Sequence, residues 1–177
     1  MSLRTSLALL VAVLCPALMH AQAIPRAQLD TLADDHKISL PEAVLGHPAI
    51  FNIGFSREGG DSSRRWTPAL KKQVEGMNVS IYAVAVLQDA PRLARGMIRH
   101  GIRGGIPKDE DRNFLLVYQG ENEWKSFAGF SAANDAYIVL VDSAGVARAR
   151  VHGKSPDAAS LSTLREALSA TGAKQQP

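Results

Sequence analysis

The sequence is almost free of cysteine: its 177 residues contain one, Cys15. That cysteine lies in an apolar run at residues 7–18, which is followed by small residues at 21–23. This arrangement is typical of a secretory signal peptide, so we expect residues 1–23 to be cleaved. The mature chain would then contain no thiol, which excludes a disulfide framework, thiol catalysis and a cysteine metal site.

The alternative use of Cys15 is lipid modification of an exported lipoprotein. We disfavour it because Leu14 stands where such sites prefer a small side chain.

The chain also lacks a strong excess of either charge, with a formal net charge of +3 that falls to +2 once Arg4 leaves with the signal peptide. So weak a charge gives no argument for nucleic acid as a partner.

No internal repeat or low-complexity tract divides the remaining sequence. Its length suits one domain with a proper core. We divide it into an N-terminal lead-in at 24–35, a single domain at 36–170 and a flexible tail at 171–177.

Alternating elements run through the predicted domain. Apolar runs predict four strands, and a strand of alternating small and polar residues after the turn at Asp142 predicts a hairpin near a sheet edge. Between them we expect a helix capped by Thr67, or beginning near Asp61 or Ser62, another from Pro91 to His100, and a last one opened by Pro156. This order predicts an α/β sandwich with a mixed sheet. The four strands are at 49–55, 78–88, 113–120 and 136–142.

Several stretches together resemble the thioredoxin-like superfamily. They are "HKISLPEAVLGHPAIFNIGFS", Trp66 with Pro68, "AYIVLVDSAGVARARVHG" and the last amphipathic helix. The lead-in resembles the peroxiredoxin and cytochrome-maturation branches, and the tryptophan-proline pair resembles the mitochondrial ATP synthase assembly factor family. The resemblance covers about 36–170. It implies a single-domain thioredoxin-like sandwich, with a central mixed β-sheet flanked by helices.

The sequence departs from the active members of that superfamily at two positions. Their loop after the first central strand holds a nucleophilic cysteine, whereas residues 56–66 here offer only serine hydroxyls, which cannot replace a thiolate in disulfide exchange. Asn134 and Asp135 stand where many relatives have a cis-proline. The resemblance therefore implies a cysteine-less, non-catalytic member, for which we expect no cofactor.

Other chemistries find little support in the sequence. Ser62 or Ser63 with Asp61 lacks the G-x-S-x-G turn of many hydrolases. The histidines show no ligand spacing, so we expect no metal site. The sequence thus leaves enzymatic activity open, and we favour the interpretation that the protein has none.

The junction at 56–66 and the turn before the 136–142 strand form our candidate recognition surface, because the fold implied by the resemblance brings them together. The alternative is a small-anion-binding protein or an enzyme of unknown reaction, since three arginines adjoin a helix start whose free amides favour anions. Arginines that simply pair with their neighbours are the plainer interpretation. The surface comprises Ser56, Arg57, Asp61, Arg64, Arg65, Trp66, Asn134 and Asp135.

A second feature is a basic face on the helix after Pro91. Its arginines fall at steps of three and four, so they share one stripe. Leu93 and Met97 are expected to face the sheet, with Ile98 and Ile102 as further candidates for that face. Such a basic face is suited to bind anionic lipid headgroups or an acidic protein. Its alternative role is only to keep the protein surface soluble. The stripe is Arg92, Arg95, Arg99 and Arg103.

We expect an exported, periplasmic or secreted protein whose partner is an envelope protein.

Overall fold

The computed structural model describes residues 22–172. Cys15, all but the end of the predicted signal peptide, and the tail from residue 173 onward lie outside the described residues. Seven strands form one sheet in the order β2-β1-β5-β4-β3-β6-β7. The strands are β1 (Ala27–Thr31), β2 (Lys37–Leu40), β3 (Ala49–Gly54), β4 (Ser80–Val86), β5 (Phe114–Val117), β6 (Ala136–Val141) and β7 (Ala147–Gly153).

The sheet is mixed, as the sequence predicts. The strands β3, β4 and β5 are parallel, while β6 runs antiparallel to β3 and β7 antiparallel to β6. All residues of β3 and β6 are buried, because these strands lie inside the sheet and both faces are covered. The alternation of buried alanines and more exposed arginines along β7 confirms the predicted strand near a sheet edge.

Helices complete a single-domain sandwich. On one face, Trp66 and Leu70 pack with Leu164 and Leu168 over β3 and β6. On the other face, an aromatic cluster that includes Trp124 covers the same strands. The helices are α1 (Arg57–Gln73), α2 (Arg95–Arg103), α3 (Glu121–Ala128) and α4 (Ala158–Ala170).

The helix α1 begins well before Thr67 and also before the alternative start near Asp61. Ser56 caps it, with the Gly59 N–H donating to Ser56 Oγ at 2.9 Å. This start could not be predicted from the sequence, because the first turn contains two glycines and glycine disfavours helix. Pro68 lies inside the helix.

Three further elements, β1, β2 and α3, occupy segments for which no helix or strand is predicted. The lead-in at 24–35 contains β1, which pairs with both β2 and β5. The stretch after β5 forms α3, which ends at Gly129 in the left-handed conformation (φ 69°). Glycine adopts this conformation without steric cost, and it commonly ends helices.

Candidate functional site

The start of α1 and the loop before β6 are joined by two serines. Ser56 Oγ donates to the Ala133 carbonyl and Ser62 Oγ donates to the Asn134 carbonyl, each at 2.7 Å. We call residues 56–66 the junction and residues 131–135 the facing loop. The predicted meeting of these two segments is present. Because both hydroxyl hydrogens are already donated, the serines hold the loop and are not poised as nucleophiles.

Glycines allow the backbones to approach closely here. A Cβ on Gly59 would lie 2.9 Å from the Ala133 carbonyl oxygen, and one on Gly54 would lie 2.9 Å from the Gly60 nitrogen. Real Cβ atoms do not come this close, so glycine is required at both positions. Gly60 differs, because a Cβ there would meet no atom within 4 Å.

Tyr137 fixes the facing loop from below. Its hydroxyl accepts the N–H groups of Ser131 (2.8 Å) and Ala132 (2.7 Å) and donates to the Ala132 carbonyl. Its ring packs against Phe55 and Phe130, with both centroid separations 5.6 Å. In the sequence Tyr137 is visible only as part of a predicted strand, although a tyrosine in a buried strand needs a partner for its hydroxyl.

Asp135 and His152 form a polar pair at the edge of the facing loop. His152 Nδ1 lies 2.8 Å from Asp135 Oδ2, and the imidazole stacks on the Tyr137 ring. Among the described residues, neither Ser56 nor Ser62 is hydrogen-bonded to this histidine. The arrangement is therefore a clasp between β7 and the facing loop rather than a serine-histidine-aspartate triad.

The junction arginines have different surroundings. Arg64 pairs with Asp61, and Arg65 donates to the Lys154 carbonyl (2.8 Å) and to Ser62 Oγ (2.9 Å). Arg57 is exposed and makes no ion pair within residues 22–172. Two of the three guanidinium groups thus already have acceptors, which weakens the interpretation of the junction as an anion pocket.

Trp66 lies beneath the junction and not on its surface, which corrects the placement predicted from the sequence. The side chain is fully buried, and Nε1 donates to the Gly153 carbonyl at 2.9 Å. The reason is that α1 starts early, so Trp66 falls on the face of the helix that covers the sheet. Asn134 is exposed and Asp135 half-buried.

The orientation predicted for Leu93 and Met97 is wrong. Leu93 is 100% exposed and Met97 79% exposed, whereas the arginines Arg95, Arg99 and Arg103 turn toward the protein. Arg95 lies over the Tyr118 ring with its Cζ 4.6 Å from the centroid.

Acceptors on the loop after β1 explain this orientation. Arg99 donates to the carbonyls of Leu32 and Ala33, both at 3.2 Å, and Arg103 hydrogen-bonds to Asp34. The Arg103 guanidinium holds the pKa of the Asp34 carboxyl below its usual range through that hydrogen bond. Of the predicted basic face only Arg92 is exposed, so α2 presents few cations to an anionic partner.

This orientation makes a clear prediction for stability. Replacing Leu93 or Met97 with serine should change the free energy of unfolding by less than about 0.5 kcal/mol, because little or no burial is lost. Replacing the buried Leu70 with alanine should cost about 2–5 kcal/mol in the same urea titration. A loss above 2 kcal/mol for Leu93→Ser would contradict the orientation.

Asp142 holds the turn between β6 and β7. Its carboxylate accepts the N–H groups of Ala144 (2.9 Å) and Val146 (3.0 Å) and pairs with Arg148. Partial burial acts to raise its pKa, but these donors outweigh burial, and the pKa of Asp142 is lowered. The predicted role of Asp142 as a turn residue is confirmed.

A lowered carboxyl pKa stabilises the fold above the unfolded-state value, near pH 4, and that contribution disappears as pH falls through the folded-state pKa. We expect Asp142→Asn to destabilise the protein at pH 7. The difference from the unmodified chain should shrink as denaturant titrations are repeated down to about pH 2.5. A difference that is constant with pH would show that the carboxylate charge contributes nothing.

Within residues 22–172 there is no cluster of three side chains suited to hold a metal ion. None of the helices described is both long and apolar enough to cross a membrane.

No protein-family model matches the chain, and no curated protein matches it in sequence. Solved structures do match. One is BsSco, a member of the Sco family of cytochrome c oxidase assembly proteins, with a TM-score of 0.56 and 12% identity over 88% of this chain and 96% of that one. Another is a Chlorobium tepidum protein assigned as the thiol:disulfide interchange protein DsbE, with a TM-score of 0.57 and 13% identity over 85% and 96%.

A third similar structure is the thioredoxin domain of a thiol-disulfide oxidoreductase from Bacteroides vulgatus, with a TM-score of 0.51 and 18% identity over 82% of this chain and 95% of that domain. The shared features are the mixed sheet, its flanking helices and nearly the whole length of each domain. At these identities the likeness concerns the fold. The chain has a thioredoxin-like fold, as the resemblance found in its sequence implies.

Proposed function

We propose that this protein is an exported thioredoxin-like module that works by binding, in the assembly or scaffolding of a cell-envelope complex, and has no thiol redox activity. The observation that carries the proposal is the clamp, which consists of the hydrogen bonds from Ser56 and Ser62 to the facing loop and the close approach of Gly59 to that loop. In the clamp, serine hydroxyls are used in hydrogen bonds to backbone carbonyls, and glycine allows a close backbone contact. The clamp therefore supports a rigid surface better than a reaction centre.

The redox part of the proposal rests on the sequence. Residues 22–172 contain no cysteine, and disulfide exchange requires a thiolate to attack a sulfur atom. Two of the similar structures are named for thiol-disulfide chemistry. This chain has their fold, but the cysteine they would need is missing from its described part. Removal of Cys15 with a signal peptide would leave the exported protein without any thiol.

The binding part rests on the surface that the clamp presents. Arg57, Glu58 and Arg64 are exposed on the junction, and Ala133 and Asn134 are exposed on the facing loop. Both segments are held by hydrogen bonds between side-chain hydroxyls and backbone groups, so little conformational freedom is lost when a partner binds. A partner with an acidic group beside Arg57 would suit this surface. BsSco, which shares the fold, belongs to a family of assembly proteins, which is compatible with an assembly role here.

The proposal is tested by crosslinking and affinity capture from the envelope fraction of the source cells. The variant Arg57→Glu/Arg64→Glu reverses charge at the junction, where neither side chain is buried. A matched control, Lys72→Glu/Arg165→Glu, makes the same change at exposed positions of α1 and α4. We expect one defined partner to be captured by the unmodified and control proteins and lost from the junction variant.

Capture that is equal for both variants would place the partner elsewhere and contradict the proposal. The anion-binding alternative gives a different result. Inorganic phosphate would then raise the melting temperature of the unmodified protein, and the Arg57/Arg64 variant would abolish the rise.

A further inference from the structure

The strands β1 and β5 separate soon after they meet. They are paired only at Asp30 with Leu116 and at Thr31 with Leu115, although β1 extends back to Ala27. The chain after β5 turns at Gly120 in the left-handed conformation (φ 79°). The Glu121 N–H then donates to Gln88 Oε1 at 3.0 Å, on the side of β4. The β5 end of the pair is thereby drawn away from β1.

The direction of the β1 backbone groups follows from two hydrogen bonds. The Thr31 N–H donates to the His36 carbonyl on the β2 side, and the Leu32 N–H donates to the Phe114 carbonyl on the β5 side, each at 3.1 Å. In an antiparallel strand these directions alternate, so the N–H and C=O of Gln28 point toward β5. Among the strands of the described chain, none pairs with Gln28 on that side.

A groove of about 630 Å³ lies where the two strands diverge. The buried side chains of Leu29, Leu116 and Trp124 contribute an apolar floor. Arg26 and Glu123 are exposed members of its lining. The groove therefore combines backbone hydrogen-bonding groups with apolar surface along the side of an extended strand.

We propose that this groove binds an extended segment of a partner polypeptide, which adds a short strand beside β1. A backbone donor and acceptor on one residue match the spacing of another extended backbone, and alternate apolar side chains of the segment reach the floor. At about 3.4 Å per residue, the part of β1 beyond its pairing with β5 offers room for about three residues. The site uses β1, β5 and α3, so it does not depend on the junction or on the function proposed for it.

The experiment selects heptapeptides from a random-sequence display library on the purified exported chain. The Gln28→Pro variant removes the N–H that faces the groove, while the hydrogen bonds from β1 to β2 come from neighbouring residues and remain. Proline is tolerated in strands where its missing N–H lies outside the ladder. Gln28→Ala is the matched control, since it keeps the N–H and changes only an exposed side chain.

We expect selected peptides to bind the unmodified and Gln28→Ala proteins alike and to bind Gln28→Pro at least about tenfold more weakly. Hydrogen exchange of the unmodified protein should show peptide-dependent protection of the Gln28 amide, a measurement that does not need the proline variant to fold. The variant Arg57→Glu/Arg64→Glu should bind the peptides normally.

The proposal would be overturned by the enrichment of no peptide, by equal binding to Gln28→Pro, or by protection at the junction instead of at Gln28. A Gln28 amide that is already protected without peptide, and loses protection when the chain is cut after Gly172, would assign the groove to the protein's own tail and would equally overturn it.

Discussion

Replacing Trp66 with alanine should destabilise the protein by about 3–5 kcal/mol, because it empties the largest site beneath the junction. Trp66 is fully buried between α1 and the sheet, packed with Leu70 and Leu164. Its indole also satisfies the Gly153 carbonyl on β7. A loss of this size is a large fraction of the stability of an ordinary domain, so unfolding should begin at much lower urea concentration.

Trp66→Phe separates the two contributions. It keeps an aromatic ring but removes the donor to the Gly153 carbonyl, and we expect it to cost less than the alanine variant. Lys72→Ala, an exposed change on the same helix, is the control and should stay within about 0.5 kcal/mol. If Trp66→Ala lost less than 1 kcal/mol, Trp66 could not occupy the core position described, and its predicted place on the recognition surface would have to be restored.

Gly59→Ala should open the clamp, whereas Gly60→Ala should not. The added methyl group on Gly59 would meet the carbonyl oxygens of Ala133 (2.9 Å) and Asp135 (3.1 Å), both backbone atoms that can move only with the facing loop. Overpacking of this kind costs about 1–3 kcal/mol. The methyl group on Gly60 meets nothing, and alanine is the better helix former, so that variant should gain up to about 1 kcal/mol.

The two glycine variants differ by position alone, which makes them a matched pair for denaturant unfolding and for partner capture. We expect Gly59→Ala to be the less stable variant and to lose the partner, because the facing loop is displaced. Equal stability of the two would mean that the junction and the facing loop are not in contact as described.

The central strands could be predicted because their information is local. Valine and isoleucine runs bounded by glycine, proline and polar residues indicate β3, β4 and β6 directly, and the alternation in β7 predicts its edge position. The resemblance to thioredoxin-like proteins then supplies the topology, including the meeting of the junction with the facing loop.

The start of α1 and the orientation of α2 could not be predicted in the same way. At α1, a serine cap and contact with a distant loop overcome the poor helix propensity of Gly59 and Gly60. At α2, periodicity places arginines on one stripe and apolar residues on another, but the stripe that faces inward is decided by carbonyls and by Asp34 on a loop far away in sequence. The pattern of residues within the helix does not show where hydrogen-bond acceptors on a distant loop will lie.

The candidate site shows the same division. Serine, arginine and asparagine at the junction are visible in the sequence, whereas the burial of Trp66 and the role of the Tyr137 hydroxyl depend on tertiary packing. Several residues predicted to lie on the recognition surface instead make contacts that hold the structure together. The exposed residues are Arg57, Glu58, Arg64 and Arg65 on the junction and residues 131–134 on the facing loop.

The central claim, that this surface binds an envelope partner, is tested most directly by site-specific photocrosslinking in intact cells. A photoreactive side chain replaces Ala133 on the facing loop in one protein and Thr163 on α4 in another, both exposed positions. The account predicts one discrete adduct from position 133 and none from position 163. No adduct from position 133, or the same adducts from both positions, would contradict it.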